Sequence, residues 1–144
     1  MSVISLLTKN FRNLSEQVIE LHPTKNFFIG ENGSGKSSLL EAVFFIGHGK
    51  SFRTTKVEHL AHHDQTQFVV SIKDDNENRL GISRDFLNQQ MVVKVNGEKQ
   101  TKLSDLAKNI AVQIVTPESF KLFFGGAKER RRFFDLGLFH VKHE

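Results

Sequence analysis

The chain has 144 residues, of which 38% are hydrophobic and 25% charged, with a net charge of +4, and this composition indicates one globular domain with its own core. The absence of cysteine excludes disulfides and cysteine metal sites, and the N-terminus lacks the pattern of a signal peptide. The longest apolar run, Ala42–Ile46, is too short to span a bilayer, so we expect a cytoplasmic protein.

Three strands are predicted in the first 30 residues. Val3–Thr8 is apolar and β-branched, and Gln17–His22 alternates polar and apolar side chains as a half-buried strand does. Phe27–Ile29 is a short apolar run that leads directly into glycine, which predicts a central strand buried on both faces.

A helix is predicted next, over Ser37–Ile46, with so little polar surface that it should be buried nearly all round. Gly47 and Gly49 are expected to stop it. The chain has 14 Phe but no Trp or Tyr. These rings indicate a Phe-rich core, with base stacking by one or two exposed Phe as the alternative.

The middle of the chain, about residues 66 to 101, predicts an antiparallel β subsection. Its strands are Phe68–Lys73, Arg79–Arg84 and Met91–Val95, and Asn96-Gly97 is a strong hairpin turn.

Short elements are predicted for the last third of the chain, giving a mixed α/β unit in sum. They are a helix over Leu103–Lys108, a strand over Ile110–Val115, a helix capped by Thr116 with Pro117 at its first position, a break at Gly125-Gly126 and a helix over Ala127–Glu144.

The segment Gly30–Ser37 matches the phosphate-loop pattern G-x-x-x-x-G-K-[S/T] in full. Its glycines allow the backbone to approach an anion, and the N–H groups from Asn32 to Ser37 are expected to form a concave anion nest. Lys36 would supply charge to the β- and γ-phosphates, and the Ser37 hydroxyl would ligate Mg²⁺. The following helix adds its positive end.

Further motifs occur in order along the whole chain, and together they resemble the RecF family, relatives of the SMC and Rad50 ATPase heads. They are Lys9–Leu14, Ser38–Ala42 after the phosphate loop, Gly47–Arg53, Thr116–Glu118 and Gly125–Asp135. One departure is Ala127, where RecF relatives often carry proline.

The resemblance implies a P-loop NTPase fold, an ABC-ATPase-type lobe I with a mixed core sheet and an antiparallel β subsection. Residues 1–144 would be the N-terminal portion of the head, without its C-terminal part and second lobe. It also implies binding of ATP and Mg²⁺ and an ATP-dependent homodimer on single-stranded or gapped DNA. Such proteins act with RecO and RecR to support RecA loading and SOS induction.

The same resemblance assigns site residues. Lys36 and Gln113 are the catalytic candidates, with Gln113 near Mg²⁺ and the attacking water or, alternatively, an ordinary strand residue. Arg12 would contact the α-phosphate or base, or else form a surface salt bridge. The expected ATP-binding set is Arg12, Asn13, Gly30, Glu31, Asn32, Gly33, Ser34, Gly35, Lys36, Ser37 and Ser38.

Two elements of an ABC site are not recognisable, an acidic strand end and a signature loop. Phe68–Asp75 is the one acidic candidate, but its alternation is that of a one-sided antiparallel strand. Phe124–Ala127 only faintly resembles a signature loop. We therefore expect an N-terminal fragment that cradles phosphate without useful hydrolysis, and steady turnover that is lost in Lys36→Ala would contradict this.

Four cations, Lys128, Arg130, Arg131 and Arg132, crowd the first turns of the last predicted helix, where they oppose its dipole. DNA phosphate would offset that cost, and so would a neighbouring acidic surface. A solvated structural face is the alternative.

His59, His62 and His63 lie at helical spacing beside Asp64, and we interpret them as an exposed polar face rather than a metal cluster. A small-molecule P-loop kinase and an interaction domain with a degenerate loop are the competing functions. The intact Lys36-Ser37 pair argues against the latter.

Overall fold

A six-stranded sheet dominates the computed structural model, which describes residues 1–120 and 126–141. Neighbouring strands follow the order β2-β1-β3-β4-β5-β6, and every pair in this sheet is antiparallel. In chain order the strands are β1 (Val3–Lys9), β2 (Gln17–Glu20), β3 (Gln67–Asp74), β4 (Arg79–Asp85), β5 (Gln90–Val95) and β6 (Glu98–Gln100).

One face of the sheet forms the core, because side chains alternate between faces along each strand. Leu6 pairs with Ile72, Val70 with Ile82, and Ile82 with Val93, and all five side chains are buried. The predicted antiparallel subsection is confirmed and is larger than expected, since β1 and β2 also belong to it. The parallel part of the expected mixed sheet is not among the strands of the described residues.

Helix α1 (Lys36–His48) lies on this buried face, against β3 and β4, together with the short α2 (Ser104–Ala107). Aromatic rings fill the space between α1 and the sheet. Phe68 packs edge-on against Phe11 at 5.3 Å and against Phe45 at 5.5 Å between ring centroids. A Phe-rich core is therefore present, although Phe27 is 84% exposed.

Of the two glycines predicted to stop α1, Gly49 does so and Gly47 does not. Gly49 ends the helix with φ of 63°, and its N–H donates to the Phe45 carbonyl. Gly47 lies inside the helix and is buried, and a Cβ there would come within 2.6 Å of Val112 Cγ2. Gly47 thus allows close packing and does not stop the helix.

Two predicted strands do not form. Phe27–Ile29 joins no ladder of the described sheet, and Phe27 and Ile29 are 84% and 94% exposed. Residues 110–115 are also unpaired: Ile110 is buried and Val112 lies close to Gly47, but Val115 is 83% exposed. An apolar run in sequence therefore did not by itself secure either a pairing partner or burial.

The chain divides into two compact units, residues 1–112 and 113–144. The second contains a 3-10 turn (Pro117–Phe120) and helix α3 (Ala127–Val141). The N–H of Thr116 donates to the Ser119 hydroxyl, and the Thr116 carbonyl accepts from the Ser119 N–H, so Thr116 meets the turn through its backbone and not through a side-chain cap. The predicted break at Gly125 and the last residues of the predicted helix, 142–144, lie outside the described residues. Among the described helices, none is long and apolar enough to cross a membrane.

Candidate functional site

The phosphate loop, residues 30–37, takes its shape from two left-handed glycines. Gly33 has φ of +84° and Gly35 has φ of +94°, a region that side chains disfavour. A Cβ on Gly35 would also lie 2.7 Å from Leu14 Cδ2. The loop therefore lies directly on the turn at residues 10–14 and enters α1 at Gly35.

The side chain of Lys36 connects the end of the phosphate loop to its beginning. Its Nζ donates to the carbonyls of Gly30 and Glu31, at 2.6 Å each. Because the first N–H groups of an α-helix have no acceptor within it, those of Lys36, Ser37 and Ser38 are available to an anion. The Ser37 side chain is exposed at this positive end.

A cavity of about 290 Å³ lies against these groups. It is lined by every residue from Asn32 to Ser38, joined by Asn13 and Arg53. The first residues of α1, one lysine and one arginine thus line one concave space, a composition suited to several negative charges.

Asn13 connects the loop with the helix behind it. Its Nδ2 donates to the Gly33 carbonyl at 2.8 Å, and its Oδ1 accepts from the Ser38 hydroxyl at 2.7 Å. The side chain therefore restrains the bend of the loop relative to α1.

Arg12 forms a bidentate ion pair with Glu41, with Nε–Oε2 of 2.9 Å and Nη2–Oε1 of 2.7 Å. The Glu41 carboxylate is fully buried, whereas the Arg12 side chain keeps 19% exposure. Arg12 has φ of 56°, and its N–H donates to the Leu60 carbonyl. Such strained non-glycine conformations persist where surrounding contacts fix them, often at functional sites.

Arg53 and Ser51 also reach Glu41, and sequence reasoning gave neither a role. Arg53 Nη1 lies 3.4 Å from Glu41 Oε2, with 46% of its side chain exposed, and the Ser51 hydroxyl donates to Oε1. The motif Gly47–Arg53 was the available signal, although nothing in it indicated a partner on α1.

A second, larger cavity of about 650 Å³ adjoins the first, and both are lined by Asn13, Ser38 and Arg53. Arg12 and His59 are among its other lining residues. In the part of the chain that the structure describes, no group of three or more His, Cys, Asp or Glu could hold a metal ion. His59, His62 and His63 are among the residues that line this cavity.

The remaining predicted residues lie in the second unit. Gln113 is exposed, and its Nε2 donates to the Ile114 carbonyl at 3.1 Å. It does not end a strand, which removes the structural premise for its predicted position. Lys128, Arg130 and Arg131 are exposed in the first turns of α3, where Arg132 also lies.

Comparison with known proteins identifies relatives across nearly the whole chain. The model of the RecF/RecN/SMC N-terminal domain matches residues 2–126. The chain is 68% identical over 144 residues to the DNA replication and repair protein RecF of Colwellia psychrerythraea, and 48% identical over 147 residues to that of Pseudoalteromonas translucida. All of this chain is covered in both cases, but only 38% and 40% of the relatives.

Two solved structures are similar in fold. One is the recombination mediator protein RecF-ATPrS in the RecFOR pathway, with a TM-score of 0.85 and 29% identity over 96% of this chain. The other is RecF-ATP in the same pathway, with a TM-score of 0.80 and 31% identity over 92% of this chain. The chain spans 38% of each of those structures.

Proposed function

This chain belongs to the family of RecF/RecN/SMC N-terminal domains, and from that premise we propose that it binds ATP within a DNA replication and recombinational repair protein. The observation that carries the proposal is the cavity of about 290 Å³ bordered continuously by residues 32–38. Solved RecF structures with ATP and ATPrS, similar to this chain, support it. Family membership favours this function over a small-molecule kinase.

The phosphates of ATP would lie in this cavity. The amides of Lys36, Ser37 and Ser38 form the positive end of α1, and Lys36 Nζ would move from the carbonyls of Gly30 and Glu31 onto the β- and γ-phosphates. Arg53 lines both cavities and would add a second cation.

The nucleoside would extend into the adjoining cavity of about 650 Å³. Arg12 lines it, and its guanidinium would contact the α-phosphate or the base. The partial exposure of Arg12 supports this, since its side chain keeps 19% exposure while paired with Glu41.

The site also fits Mg²⁺. Ser37 offers one exposed hydroxyl oxygen, and Mg²⁺ prefers few protein oxygens completed by phosphate oxygens and water. Bound there, the ion would neutralise phosphate charge. The role proposed for Gln113 beside Mg²⁺ rests on family resemblance alone.

For the whole protein, we extend the proposal to an ATP-dependent homodimer that binds single-stranded or gapped DNA. With RecO and RecR it would support RecA loading and SOS induction. The exposed Lys128, Arg130 and Arg131 are consistent with a polyanion partner.

Calorimetric titration of the full chain with ATP and Mg²⁺ tests the ATP-binding proposal. We expect saturable binding, and we expect Lys36→Ala to weaken it at least about tenfold, because a charge-assisted contact is lost. Lys94→Ala, which removes an exposed lysine on β5, should bind as the parent does. No binding by the parent, or equal binding by Lys36→Ala, would refute the proposal.

A further inference from the structure

Glu41 is a buried carboxylate whose hydrogen-bonding capacity is fully used. Its Oε1 accepts from Arg12 Nη2 and from the Ser51 hydroxyl, and its Oε2 accepts from Arg12 Nε and faces Arg53 Nη1. A carboxylate offers about four acceptor positions, so the four contacts leave none unused. Burying a charged carboxylate completely is costly because it loses its water, and its partners only offset that cost. A charge kept there at such a cost points to a specific role for Glu41.

The partners of Glu41 come from separate parts of the chain. Arg12 belongs to the turn after β1, and Ser51 and Arg53 follow the end of α1. Glu41 itself lies on α1, one turn after Ser37. The carboxylate therefore links both segments to the helix that begins at the phosphate loop.

The turn at residues 12–13 is fixed to α1 at two positions three residues apart. Ser38 bonds Asn13, and Glu41 bonds Arg12. Residues with this spacing share one helix face, so one face of α1 sets the position of the whole turn. Arg12 has a left-handed backbone, and its N–H donates to the Leu60 carbonyl.

We propose that Glu41 is a positioning residue, which holds the guanidinium groups of two cavity-lining arginines: Arg12 lines the larger cavity and Arg53 lines both. This inference rests on the proposed ATP binding. Glu41 is itself buried and would not touch the nucleotide.

The physical reason is the behaviour of two nearby guanidinium groups. Without a carboxylate between them they repel, and each long side chain explores many rotamers in water. With Glu41 in place, the trio carries one net positive charge in one arrangement. An anion then binds without the cost of ordering both side chains.

Glu41→Gln tests this, because glutamine keeps the size of the side chain and removes its charge. We expect affinity for ATP and for inorganic tripolyphosphate to fall about tenfold, while Glu41→Asp falls less because the charge remains. Glu98→Gln, an exposed change on β6, is the matched control and should bind as the parent. Parent-like affinity in Glu41→Gln would overturn the inference.

To distinguish positioning of the arginines from a merely structural role of Glu41, Glu41→Gln is repeated in the Arg12→Ala/Arg53→Ala background. If Glu41 acts through the two arginines, the substitution should cost little further affinity there. If Glu41→Gln lowers the affinity for ATP by the same factor in both backgrounds, the inference is overturned. If Glu41→Gln does not fold, Ser51→Ala takes its place, because it removes one donor to the carboxylate. Its effect on ATP affinity is again compared with and without the two arginines.

The two proposals fail in different ways. If the parent does not bind ATP, the proposed function fails and this inference fails with it. If the parent binds, Lys36→Ala does not, and Glu41→Gln retains full affinity, only the positioning role is refuted.

Discussion

The side-chain amide of Asn13 donates to the carbonyl of Gly33 at 2.8 Å, which ties the phosphate loop to a turn 20 residues earlier. The same side chain accepts from Ser38 on α1. The bend of the loop is thus fixed by contacts outside the loop as well as by its own glycines.

Asn13→Ala should loosen the loop. Two neutral hydrogen bonds are lost, and with one such bond contributing about 1 kcal/mol we expect ATP affinity to fall about fivefold or more. Ser38→Ala removes only the second of these bonds and should cost less. Titration with ATP measures both, and equal affinities for Asn13→Ala and the parent would contradict the restraint.

Gly35→Ala should both destabilise the fold and abolish ATP binding. The substitution forces a side chain into a left-handed backbone and into Leu14. Gly97→Ala is the matched control, since Gly97 has φ of +87° with nothing within 4 Å. We expect the control to cost about 1 kcal/mol in urea unfolding from strain alone, and Gly35→Ala to cost clearly more. Equal costs would show that the Leu14 contact relaxes freely.

Asp74 should make stability depend on acid pH. Burial alone would raise the pKa of Asp74, but hydrogen bonds from the side chain and backbone of Asn78 and from the backbone of Asn76 outweigh it and hold the pKa below its ordinary value of 3.8. Since the folded state lowers the pKa, the stabilisation is complete above that ordinary value and is lost as pH falls through the folded value.

We expect Asp74→Asn to destabilise the protein by about 2 kcal/mol at pH 7 and by progressively less below about pH 4. Urea unfolding at several pH values measures this difference. Asp64→Asn, at a side chain that is 84% exposed, should show no comparable change. A constant difference between parent and Asp74→Asn at every pH would contradict the assignment.

The cations at the start of α3 give a prediction for DNA. If Lys128 and Arg130–Arg132 contact phosphates, changing them to Ala should flatten the dependence of log affinity on log salt by about 0.7 to 0.9 per lost contact. Lys99→Ala on β6 serves as control. An unchanged slope would assign these residues to a solvated face.

Local pattern predicted much of this fold. Strands β3, β4 and β5 were predicted from their own residues, and Asn96-Gly97 predicted the turn between β5 and β6, because these signals depend only on residues close in sequence. The failures, at Phe27–Ile29 and residues 110–115, came where a strand required a distant partner that periodicity does not reveal.

In the candidate site, too, features formed by neighbouring residues were predicted and features formed by residues far apart in sequence were not. The phosphate loop is contiguous, so its pattern was readable in one segment. The pairing of Arg12 with Glu41 spans 29 residues, and Arg53 reaches the same carboxylate from the opposite direction in sequence. Nothing in the residue types alone predicted that Arg12 and Arg53 would both contact the buried carboxylate of Glu41.

The outermost strands of the described sheet, β2 and β6, are only 4 and 3 residues long. Along β6, Lys99 pairs with Lys94, so two like charges face each other at that edge. A short, charged border offers few free backbone groups to an incoming strand from another molecule. The sheet should therefore resist edge-to-edge aggregation in concentrated solution, a colloidal benefit that is independent of any ligand.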